Sequence, residues 1–97
     1  MAVYVRAVRG ENGIVLELQE GLFAFVNGDA CMFASNPDSF YKFGYFEKPD
    51  TVPKEMIRKA LESIGKAVEE LSEENDWQTC IGLSAGEIKK AWEALQP

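Results

Sequence analysis

The sequence predicts an α+β fold, an antiparallel β-meander of four to five strands packed by one long and one short C-terminal helix. Two observations lead there: apolar residues alternate between glycine-rich breaks through residues 1–47, and after Lys48-Pro49-Asp50 the apolar period changes from two to 3.6. A third bounds the architecture. Ninety-seven residues with 46% apolar and 27% charged side chains suit one globular domain spanning 1–97, and no repeat, low-complexity tract or linker divides it.

Val3 to Arg9 alternates and is read as the first strand, after which Gly10-Glu11-Asn12-Gly13 offers an Asn-Gly turn of the kind that demands positive backbone angles. In the second strand Ile14, Leu16 and Leu18 point one way and Val15, Glu17 and Gln19 the other. Glu20-Gly21 is the next break. Leu22-Phe23-Ala24-Phe25-Val26 is a continuous apolar strand, and Asn27-Gly28-Asp29 reverses the chain into Ala30-Cys31-Met32-Phe33-Ala34. Ser35 to Ser39 is a loop by composition, and a last strand is expected from Phe40 to Glu47, with its aromatic residues packing across the sheet or forming an apolar outer patch.

Met56, Ile57, Ala60, Leu61, Ile64, Val68 and Leu71 form one helical stripe, which predicts a long helix over residues 52–75, capped by Thr51 and with Pro53 in its first turn. Trp77 to Leu83 connects, with a short strand through Thr79-Cys80-Ile81. The second helix occupies 84–96, with helical positions from about Ala85 to Leu95 and Ile88, Ala91, Trp92 and Leu95 buried.

Sixteen acidic and ten basic residues give a net charge of −6, the wrong sign for direct nucleic-acid binding; a basic protein surface is the natural partner. The first residues lack the pattern of a signal peptide, and no run is long enough to span a membrane, so the expected location is the cytoplasm. Cys31 and Cys80, far apart in apolar contexts, are read as buried free thiols.

Enzyme activity finds no support. Gly82-Leu83-Ser84-Ala85-Gly86 fits the Gly-x-Ser-x-Gly elbow, but the chain has no histidine to serve as base, and Ser84-Ala85-Gly86-Glu87 is better read as a capping box. Two lone cysteines make no zinc site, and the carboxylates of residues 69–76 lack calcium-loop spacing, so neither metal nor cofactor is expected.

What stands out is Glu69-Glu70-Leu71-Ser72-Glu73-Glu74-Asn75-Asp76, an acid run with no base at the expected end of the long helix. Acids at a helix C-terminus cost about 0.3 to 1 kcal/mol each when exposed. Spacing of four pairs Glu55 with Lys59, Arg58 with Glu62, Glu62 with Lys66 and Lys66 with Glu70, leaving Glu69, Glu73, Glu74 and Asp76 with the least local compensation. A solvated helix end, neutralised through the fold by Arg6, Arg9, Lys89 or Lys90, is the bland alternative to a surface that meets a positive one.

A small, acidic, histidine-free chain with a concentrated run of carboxylates resembles the DNA-mimic inhibitors of phages and other mobile elements, including anti-CRISPR proteins of that kind. The resemblance implies a non-enzymatic inhibitor that occupies the basic nucleic-acid-binding surface of a defence complex. Glu69, Glu70, Glu73, Glu74 and Asp76 would centre its partner-binding patch, with Asp29, Glu11 and Glu87 as extensions. Two other classes fit the sequence: an immunity protein or antitoxin that neutralises a basic toxin, and a homo-oligomeric accessory protein with an interface formed by the Phe40 to Phe46 aromatics.

Overall fold

The computed structural model describes residues 4–45, 51–75 and 79–96. Four antiparallel strands, β1 (Arg6–Arg9), β2 (Ile14–Gln19), β3 (Leu22–Asn27) and β4 (Ala30–Ala34), follow one another across the sheet. Helix α1 (Lys54–Glu70) then carries the chain back, so that β5 (Cys80–Ile81) adds to β4 in parallel before helix α2 (Ala85–Leu95). The fold is the expected α+β class, with five strands in a mostly antiparallel sheet and two C-terminal helices of unequal length.

Alternation along β2 decides which layer each side chain joins. Ile14, Leu16 and Leu18 face α1 and α2, where they pack with Ala24, Val26, Phe33, Ile57, Ile64 and Ile88 among others. Val15 points to the opposite face and meets Phe23, Phe25, Phe40 and Tyr45. Residues 22–26 of β3 are therefore buried on both faces, which is why they read as an unbroken apolar run.

The turns differ from expectation in one respect. Asn12 does not adopt positive φ; its side-chain amide instead donates to the Gly44 carbonyl at 2.7 Å. Gly13 is required for space, since a Cβ there would lie 2.2 Å from the Val26 carbonyl oxygen.

Residues 37–43 correct the sequence reading. The expected strand from Phe40 is a 3₁₀ helix, Pro37–Phe43, while Phe46 and Glu47 lie outside the described residues. Asn36-Pro37-Asp38 is a helix start: the Asn36 side chain accepts from the Asp38 N–H at 2.9 Å, and Pro37 supplies a fixed φ at the first helical position. Gly44, at φ 91°, ends the element in a left-handed conformation open to glycine at little steric cost. The sheet's second face is thus covered by Phe40 and Tyr45, both buried, while Tyr41 and Phe43 remain exposed.

Helix α1 is shorter than expected at both ends. Proline disfavours the helical region for the residue before it, so Val52 cannot belong to the helix; Pro53 takes the N-cap position and Thr51 contributes no capping bond. At the other end Leu71 leaves the helix with extended φ and ψ of −66° and 138°, carrying its side chain into the core. Asn75 stabilises that exit, accepting from the Ser72 N–H at 2.9 Å and donating to the Glu70 carbonyl at 3.3 Å. Within α2, Ile88 and Ala91 are buried, whereas Trp92 and Leu95 are only half-buried.

Candidate functional site

The acid run does not ride on one helix. Glu69 and Glu70 occupy the last turn of α1, Glu73 and Glu74 lie in the turn after it, and Asp76 falls outside the described residues. Because the helix ends at Glu70, the spacing of four between Glu69 and Glu73, and between Glu70 and Glu74, does not set these like charges one helical turn apart. All four described acids are exposed. Their positions follow from Leu71, which is 5% exposed and anchors the chain between the two pairs.

Tertiary packing brings in a further acid. Asp29, in the turn between β3 and β4, lines the same cleft of about 370 Å³ as Glu70, with Cys31, Leu71 and Asn75 on its walls. The acidic surface thus joins the end of α1 to a hairpin turn. Of the other suggested extensions, Glu11 lies along a different cleft beside Arg9 and Lys59. Glu87 is committed to α2, where its N–H donates to the Ser84 hydroxyl at 3.2 Å and its carboxylate receives a hydrogen bond from that hydroxyl, also at 3.2 Å. Ser84 is accordingly the N-cap of α2. The carboxylate meets the hydroxyl rather than the cap backbone N–H of the usual capping box.

Charge compensation is unequal along α1. Arg58 bridges Glu55 and Glu62, reaching Glu62 at 2.6 Å, and its hydrogen bonds to Glu55 hold that carboxyl below its ordinary value while raising the guanidinium's own. The lysine pairs expected from spacing, Glu55 with Lys59, Glu62 with Lys66 and Lys66 with Glu70, do not reach ion-pair distance. At Glu55 and Glu62 a planar fork that binds both carboxylates outcompetes flexible ammonium groups. Arg6 pairs with Glu17 at 3.7 Å. Among the described residues, Glu69, Glu70, Glu73 and Glu74 form no ion pair, and Arg6, Arg9, Lys89 and Lys90 do not neutralise them by contact.

One feature of this end escaped the sequence reading. Asn75 closes the helix through its side chain, a role its position among acids only hints at. Asp29 reaches Glu70's cleft only because α1 packs across the hairpin, which no local pattern encodes. Elsewhere, Tyr41 and Phe43 are 43% and 49% exposed on a 3₁₀ helix rather than on the expected strand.

Both cysteines are free thiols, Cys31 buried and Cys80 half-buried. Burial, helped by the neighbouring Cys80, pushes the Cys31 thiol up to about 12. No three metal-ligating side chains converge among the described residues, and no described helix is long and apolar enough to cross a membrane. The sequence matches no protein-family model, and no curated protein or solved structure is detectably similar to it.

Proposed function

We propose that this protein is a non-enzymatic acidic binding protein of the cytoplasm that acts as a DNA-mimic inhibitor, occupying the basic nucleic-acid-binding surface of a defence complex. One observation carries the reading: Glu69, Glu70, Glu73 and Glu74 stand exposed at one end of α1 without an ion pair among the described residues, while Glu55 and Glu62 on the same helix share Arg58. Asp29 extends the negative surface across the adjoining cleft. Carboxylates grouped in this way offer a basic groove the charge of a phosphate backbone without its chemistry, and the groove cannot then hold nucleic acid.

Capture with tagged wild-type protein, followed by mass spectrometry, is expected to recover a nucleic-acid-binding protein or complex whose DNA binding the wild-type chain displaces. Retention should fall steeply between 0.15 M and about 1 M salt, because the screening length drops from about 8 Å to about 3 Å. The Glu70→Lys, Glu73→Lys, Glu74→Lys variant should fold and lose the partner. Undiminished binding by that variant would refute the proposal, and recovery of a basic toxin that does not bind nucleic acid would replace it with an immunity function.

A further inference from the structure

A second cleft carries the opposite charge. It lies where the flank of α1 crosses the β1–β2 and β3–β4 turns, has a volume of about 390 Å³, and is walled by Arg9, Glu11, Lys59, Ser63, Met56 and Ala60 with turn backbone between them. Its volume falls within the range of about 300 to 1,000 Å³ typical of small-molecule sites. Arg9 is half-buried, yet neither it nor Lys59 forms an ion pair with any described residue in a chain that carries sixteen acids. Glu55, the carboxylate on α1 that Lys59 influences, is already bound by Arg58. Glu11 is the one acid on the cleft wall, so the charged side chains there sum to one positive charge, two bases against one acid. The Ser63 hydroxyl adds a hydrogen-bond donor on the same helix face.

We propose that this cleft binds a small organic anion, its phosphate or carboxylate group held between Arg9 and Lys59 with the Ser63 hydroxyl, and its apolar body against Met56, Ile14 and Val26. A guanidinium and an ammonium that line one cleft from two elements suit a single anionic group. The apolar floor favours a ligand larger than an inorganic ion. The site stands apart from the acidic end of α1 and does not depend on its function.

Amide NMR titrations of the whole chain with phenyl phosphate, benzoate and neutral benzyl alcohol test the proposal. Both anions are expected to give saturable shifts at Gly10, Gly13, Gly28 and Ser63 with a Kd of about 1 mM or tighter, and benzyl alcohol none at the same concentrations. Lys59→Gln and Arg9→Gln should each weaken binding about fivefold, while Glu11→Gln, which removes the competing carboxylate, should tighten it. Lys90→Gln, an exposed change away from the cleft, should leave it unaltered. Absence of saturable shifts with both anions, equal shifts with benzyl alcohol, or equal weakening by Lys90→Gln and Lys59→Gln would each overturn the proposal. If Arg9→Gln fails to fold, Lys59→Gln and Glu11→Gln decide it.

Discussion

Truncating Tyr45 to alanine is expected to cost about 3 kcal/mol or more, and truncating Phe43 about 1 kcal/mol, although the two residues would share one face of a strand. The difference comes from the 3₁₀ helix. Tyr45 is 3% exposed, with its ring centroid 5.5 Å from Phe25 in an edge-on arrangement and 5.8 Å from Tyr41. Removing it opens a cavity beneath the sheet's second face and deletes aromatic contacts as well as buried area. Phe43 is 49% exposed, so only part of its ring leaves water on folding. For a domain of this length each kcal/mol moves the midpoint by about 4 to 8 °C, which places Tyr45→Ala at least about 12 °C below the wild type and Phe43→Ala within about 8 °C of it. Thermal unfolding followed by circular dichroism measures both. Equal losses would mean that residues 43 and 45 lie on the same face of an extended segment, and the reasoning from the 3₁₀ helix would be wrong.

Other outcomes are accessible with the same purified chain. Glu69→Lys and Glu70→Lys, which place bases where the α1 dipole favours them, should each raise stability by about 0.3 to 1 kcal/mol in urea unfolding; a loss would show that the acids have stabilising partners. Ser84→Ala removes the α2 cap and should cost about 1 kcal/mol, so an unchanged midpoint would contradict the bond from the Glu87 N–H. A thiol raised from an ordinary 9.0 to about 12 holds about a thousandfold less thiolate at pH 8. Cys31 in the native chain should therefore alkylate at least about tenfold more slowly than in urea, as peptide mass spectrometry would report, and equal rates would deny its burial.

The sheet was legible because strands with one buried face must alternate. Alternation of Ile14, Leu16 and Leu18 assigns β2 to a layer, and the α1 stripe from Met56 to Val68 marks the helix's buried face. The aromatic string at residues 40–46 misled for a physical reason. Phenylalanine and tyrosine favour strands through packing, but the preceding Asn36-Pro37-Asp38 fixes the local backbone first, and burial of Phe40 and Tyr45 is satisfied equally well by a tight helix. Extension of α1 to residue 75 failed similarly: the apolar period ends at Leu71, and beyond it Asn75 offers the backbone partners that a further turn would have supplied. Of the candidate surface, the acids and their exposure could be read from the chain. Their junction with Asp29, and the capture of two carboxylates by Arg58, depend on packing and on side-chain geometry that spacing does not contain.

Solubility alone asks only for net charge, and any exposed position supplies it. An acid near a helix N-terminus would add stability as well, which is how Glu87 is used: it sits in the first turn of α2, where the dipole and Ser84 both favour it. Helix α1 departs from that rule. Its first turn contains Lys54 and one acid, Glu55, which Arg58 engages, while its last turn holds Glu69 and Glu70 with no base. Lys66 stands one turn before Glu70 and does not pair with it, although spacing would permit the contact. The same chain thus follows electrostatic preference at the start of α2 and opposes it at the end of α1, where Glu69 and Glu70 are exposed. If the outward acids serve a partner, charge reversal at Glu69 and Glu70 will raise stability and abolish binding together; if they serve only solubility, it will raise stability with no loss of binding.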